Sequence, residues 1–213
     1  MEIRGFTEQD RTDLTKLAEL AGSGSPTESL WGHPESEAAV YLTPYLDREP
    51  ESVFVSVDDD GALTGYLVGA VDSARFPSEE ERMTDAIRRY RLALRRGPAL
   101  FFARAIADTI TSRLRRHDMA GDYTAPDFPA HLHINVTPAA RGTGAAEALV
   151  HRFLDHARDA GAPGCHLQTL TENTRAVRFF TRLGFTPTGA PADVPGLRYQ
   201  GRRVHQQTMT RAC

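Results

Sequence analysis

The chain has 213 residues, 40% of them hydrophobic and 25% charged, which suits one globular domain with a full core. A formal net charge of -3 excludes a global bias toward nucleic acid or an anionic membrane as partner. No stretch approaches the ~18 apolar residues of a membrane span, the start MEIRGFTEQD carries no apolar run behind basic residues, and the two cysteines, Cys165 and Cys213, make no disulfide framework. A reduced, cytoplasmic protein, monomer or homodimer, is the expectation.

Ile3 to Phe6 reads as a short first strand. Asp10 to Ala21 carries Leu14, Leu17, Ala18 and Ala21 at helical spacing, with Thr7 ahead of it as a capping signal. Gly22 to Pro26 (GSGSP) ends that helix. A second helix is predicted over Ser36 to Leu46. Ser52 to Val57 and Leu63 to Val71 are strand-like and flank Asp58-Asp59-Asp60-Gly61, a hairpin whose long turn implies a bulge.

An insert at about 75–130 follows. Ser78 to Arg96 places Met83, Ile87, Tyr90 and Leu94 as apolar beats in a charged run, and Ala99 to Leu114 repeats the helical pattern after Pro98. Two helices are predicted, then a loop through Gly121, Pro126 and Pro129. His131 to Val136 is a strand, Gly144 to Ala160 an amphipathic helix, and His166 to Leu170 another strand. Asn173 to Leu183 is a helix closed by Gly184, and a last hairpin begins at Phe185 and closes with Arg203 to Met209. Strands pair as hairpins early and alternate with helices late, which argues a mixed, mostly antiparallel α/β sheet flanked by helices, in one domain over 1–213.

The informative segment is Val136-Thr137-Pro138-Ala139-Ala140-Arg141-Gly142-Thr143-Gly144-Ala145-Ala146. A strand ends, a loop of small residues follows, and a long helix begins. Small side chains leave N–H groups uncovered where the helix dipole is positive, and Arg141 adds charge, so the segment suits a diphosphate. A dinucleotide fingerprint fails because Glu147 stands where its third glycine belongs, and a P-loop fails for want of a lysine.

Arg141-x-x-Gly144-x-Ala146 after Val136-x-Pro138 resembles the pyrophosphate signature of GNAT acetyltransferases. Asn173-x-x-Ala176-x-x-Phe179-Phe180-x-x-x-Gly184-Phe185 resembles their second motif at the expected distance. The strand His131–Val136 behind a helical insert is further similar to free-standing bacterial relatives of the acetyltransferase-like domain of O-GlcNAc hydrolases. The resemblance implies acetyl-CoA as co-substrate and a primary amine of a small molecule or peptide as acceptor, with direct transfer between them. It implies that the main chain at Ile134, Asn135 and Val136 holds the pantetheine arm in a splay against Cys165–Leu170. The amides of Gly142, Thr143, Gly144, Ala145 and Ala146, with Arg141, would hold the pyrophosphate, and Asn173 and Phe180 would contact the cofactor from the next helix.

The sequence departs from the family at Phe180, where a tyrosine often protonates the leaving thiolate. Tyr199 is the substitute acid to consider. For a base, His131 and His133 share one strand face with Asn135, and Asp127 and Asp122 lie in the preceding loop. The bland alternative makes these histidines structural groups and the aspartates solvated. His166 and Gln168 either line the acceptor pocket or pack, and Trp31 is core or pocket wall. No metal is expected. A non-catalytic acyl-CoA-binding module is the rival function, resting on Phe180 and the unassigned base.

Overall fold

The computed structural model describes residues 1–21 and 30–213, so the expected helix stop at Gly22–Pro26 lies outside the described residues. Among the described residues seven strands form one sheet in the order β1-β2-β3-β4-β5-β7-β6. They are β1 Glu2–Gly5, β2 Phe54–Val57, β3 Leu63–Ala70, β4 Ala130–Val136, β5 Gly164–Leu170, β6 Thr186–Tyr199 and β7 Arg202–Ala212. Every neighbouring pair is antiparallel except β4 and β5. The expected bulge in the first hairpin appears as a register shift between Ser56 and Val57.

Alternation along the strands sends side chains to two cores. On one face Phe54, Leu67, Leu132 and Leu167 pack against Leu149, Val150 and Phe153 of α6 (Ala145–Asp159) and Phe180 of α7 (Thr174–Arg182). A Cβ on Gly69 would collide with the Phe153 ring and the His131 carbonyl, so this strand position lets α6 sit close. On the other face Val55, Tyr66, Val68 and Ala70 pack against Leu14 and Leu17 of α1 (Arg11–Ala21) and Tyr45 and Leu46 of α3 (Thr43–Arg48).

Three local predictions need correction. The helix expected over Ser36 to Leu46 is two, α2 (Pro34–Tyr41) and α3, because Leu42 leaves helical geometry at φ -128. Pro44 then sits in the first turn of α3, where a missing N–H costs nothing. Of the helix expected over Ser78 to Arg96, α4 covers only Glu79–Arg89, and Pro98 does not separate the helices. It lies in the first turn of α5 (Arg96–Arg115), for the same reason as Pro44. Third, the final hairpin is longer than expected, and its irregular strand β6 packs on α5 through Asp108, which accepts from Arg198 at 2.7 Å and from the Gly196 N–H at 2.9 Å.

Candidate active site

Strands β4 and β5 are paired only at Ala130–Cys165 and His131–His166. Beyond His131, β4 stays bonded to β3 as far as Val136, and β5 stays bonded to β7 as far as Leu170. The two strands therefore fork. The edge of β4 that carries Leu132 to Val136 has no ladder partner on the β5 side.

At the open end of the fork lie the start of α6 and the start of α7. Gly144 caps α6 with φ +90 and Gly142 has φ +84, left-handed values that favour glycine at both positions. A Cβ at either would meet nothing within 4 Å, so the surface above the loop is open. The first intrahelical bond is donated by Ala148 to the Gly144 carbonyl, so the N–H groups of Ala146 and Glu147 point outward with no helical acceptor. Asn173 caps α7 by accepting from the Ala176 N–H at 3.2 Å. Arg141 and Arg175 are near enough that the second cation, after burial, helps to lower the pKa of the first. Two helix N-termini and two arginines thus lie at the same end of the fork. Arg175 was not anticipated from sequence, because it matches no motif and only the fold brings α7 beside the loop. These groups fit a diphosphate-bearing ligand.

At the closed end of the fork a cavity of about 590 Å³ opens onto the face opposite α6. Leu132 and His133 of β4 line it, with His166, Leu167 and Gln168 of β5 and Glu79 to Arg82 of α4. The three histidines differ in their bonding. The Ser73 hydroxyl donates to the Pro129 carbonyl at 2.6 Å, so Nδ1 of His131, 2.6 Å from the same oxygen, must carry the hydrogen. Its Nε2 then accepts from the Tyr45 hydroxyl at 2.9 Å. Both nitrogens are spent, and burial pushes the His131 pKa well below its usual value.

His133 makes ring contacts with Tyr41 and Tyr45, and its nitrogens have no protein partner among the described residues. Burial first, then the Arg82 charge, lower it to about 4, so it is neutral across the physiological range. In His166 the Phe128 carbonyl can only accept, so Nδ1 at 2.8 Å is protonated and Nε2 is left with a lone pair. Its ring is also lowered by burial, opposed by that bond and by Asp122.

The remaining sequence-predicted residues fall as follows. Ile134 and Val136 pack toward α6, and the Asn135 amide donates to Tyr66 at 2.8 Å. Phe180 is buried beside Phe179 and Phe185. Tyr199 packs with Leu170, Leu197 and Val204, and Asp127 is an exposed loop residue. Neither lines the cavity. Asp122 does, and accepts from the Glu79 N–H at the start of α4. Trp31 is core, donating to Ser36 at 2.7 Å.

The sequence shares 41% identity over 54 residues with the mycothiol acetyltransferase of Nocardia farcinica (strain IFM 10152), a stretch covering 25% of this chain and 18% of that protein. Over its length the fold is similar to SsHAT, with TM-score 0.62 and 21% identity across 99% of this chain and 97% of that one. It is also similar to yncA of Salmonella typhimurium, solved with its cofactor acetyl-CoA, with TM-score 0.59 and 19% identity across 100% and 93% of the two chains. At these identities the two solved structures speak for the fold alone. The profile of the acetyltransferase (GNAT) family matches residues 20–185. The chain belongs to the acetyltransferase (GNAT) family, a family that uses acetyl-CoA.

Proposed function

We propose that the chain, as one acyltransferase unit over 1–213 with its helical insert, moves an acetyl group from acetyl-CoA directly to a primary amine of a small molecule or peptide. The observation that carries the reading is the fork, which joins an unpaired β4 edge and an anion-ready loop to a cavity walled by histidines. Acetyl-CoA supplies the activated acetyl thioester. Arg141 and the amides of Gly142 to Ala146 hold its pyrophosphate, the main chain of Ile134 to Val136 orients the pantetheine arm, and Asn173 and Phe180 border it from α7.

His133 takes the proton from the attacking amine. It is neutral at pH 7 and its ring nitrogens are uncommitted, whereas His131 is a brace with both nitrogens engaged. Neither Tyr199 nor Asp127 lines the cavity, so each acts there only if its segment moves. The strand His131–Val136 and the helical insert favour kinship with the acetyltransferase-like domain of O-GlcNAc hydrolases as the finer placement.

A non-catalytic acyl-CoA-binding role is the second reading, favoured by Phe180, which offers the leaving thiolate no hydroxyl. The test is thiol release from acetyl-CoA with a panel of amines. Amine-dependent release supports transfer; acetyl-CoA binding by calorimetry with no release for any amine supports the second reading. Absence of binding at millimolar acetyl-CoA overturns both.

A further inference from the structure

Arg82 on α4 is 9% exposed and lines the same cavity. Its Nε donates to the Ser78 carbonyl at 3.3 Å and its Nη1 to the Val40 carbonyl. The guanidinium lies over the rings of Tyr45 and Phe76, 5.5 and 5.4 Å from their centroids. Carbonyl dipoles and ring faces orient a cation but carry no net negative charge. Among the described residues no carboxylate reaches Arg82 within ion-pair distance of 4.0 Å.

The acidic side chains nearby are otherwise occupied. Glu79 accepts from Tyr41, Glu81 from the Ser78 N–H, and Asp122 from the Glu79 N–H. A buried arginine is ordinarily matched by a counter-charge, because desolvating it alone is costly. Buried charges elsewhere among the described residues are matched: the buried carboxylate of Asp10 meets the half-buried Arg4, and that of Asp108 meets the half-buried Arg198 and Arg203. Arg82 has no such partner, and it lines the cavity beside His133 and His166. A guanidinium with five N–H donors in a planar fork suits a carboxylate or another oxyanion.

We infer that Arg82 binds an anionic group of the acceptor, so that the acceptor is an amine bearing a carboxylate a few ångströms from its amino group, of the amino-acid class. This deepens the acetyl-transfer reading and rests on it for the word acceptor. With the anionic group on Arg82, the amino group of such a compound is held on the side of the cavity walled by His133 and His166. The carboxylates at the rim, Glu80 and Asp85, favour a compound that arrives with a cationic end.

The test compares each acid with its amide, which keeps the amine and removes the anion. Glycine, β-alanine, lysine and glutamate are assayed against their amides by thiol release. In parallel, N-acetylglycine and N-acetylglycinamide are titrated calorimetrically into the CoA-loaded protein. The expected result is a preference of at least tenfold for the acid in both assays, lost in Arg82→Gln while acetyl-CoA affinity is kept. Equal binding of acid and amide by the wild-type protein overturns the inference, as does a preference that survives in Arg82→Gln. Because Arg82 also ties α4 to α2, Arg82→Lys serves as a second variant. It keeps the charge without the fork and should weaken the preference at least threefold, and an undiminished preference counts against the assignment. If no amine is turned over but N-acetylglycine still binds in preference to its amide, the transfer reading fails and the anion site stands.

Discussion

Nδ1 of His131 stands 2.6 Å from the Ser73 hydroxyl, which is itself committed to the Pro129 carbonyl, so the ring ties the start of β4 to the loop before α4. Removing the ring leaves the Tyr45 hydroxyl, fully buried, without its acceptor. His131→Ala should therefore destabilise the fold by about 1–3 kcal/mol, the usual cost of an orphaned buried polar group. Thermal melting checks this, and a variant with unchanged melting temperature rejects the bracing role.

His133, two residues on, predicts the opposite pattern. It makes ring contacts with Tyr41, Tyr45 and His131, and no hydrogen bond among the described residues. His133→Ala should keep its acetyl-CoA affinity and its melting temperature to within a few degrees, and lose about 10²-fold or more in transfer rate. Full activity in the variant sinks the assignment. If instead His166→Ala shows the loss, the proton goes to the Nε2 left free by the Phe128 bond.

The loop predicts a charge effect separable from strain. Gly144 sits at φ +90 with open space where a Cβ would go. Gly144→Ala and Gly144→Glu both carry the left-handed backbone cost, about 1–2 kcal/mol. Only the second adds a negative charge at the mouth of α6. Acetyl-CoA affinity, measured by calorimetry, should fall at least tenfold further in Gly144→Glu than in Gly144→Ala. Equal affinities remove the pyrophosphate from this loop.

What was legible in the sequence was whatever local chemistry dictates. Gly142, Gly144, Asn173 and Gly184 each need a particular backbone or cap, so the loop and both helices of the cofactor side stood out. The face shared by His131 and His133 followed from strand alternation. The roles of those two histidines did not. One is bonded to Ser73 and Tyr45, 58 and 86 residues away along the chain, and its neighbour is not. Arg82 is one of many charges in the run from Ser78 to Arg96, and its contacts to Val40 of α2 and to the rings of Tyr45 and Phe76 are set by the fold. The split at Leu42 and the place of Pro98 inside α5 escaped because a proline in a first turn and a proline between helices look alike in sequence.

The same burial that makes His133 neutral links stability to pH. Its native pKa is about 4 against an ordinary 6.5, and His131 is lowered too. Between those values the unfolded chain binds a proton that the native state does not, so stability rises with pH there. The contribution is fully present above about pH 6.5 and is lost as pH falls toward 4. For His133 alone it amounts to about 3 kcal/mol, since each tenfold change in proton affinity is worth about 1.4 kcal/mol. Urea unfolding at pH 7.5, 6.0 and 5.0 should therefore show a progressive loss that begins below 6.5, above the range in which carboxylates titrate. His133→Gln, which cannot take a proton, should lessen the loss and leave the part that His131 contributes. The same lowered pKa moves the acid limb of catalysis. Corrected for the neutral fraction of the acceptor amine, kcat/KM should be level from pH 5.5 to 8 and should not titrate near 6.5. A transition at 6.5 in that corrected profile would mean that the proton acceptor is a less buried group than His133.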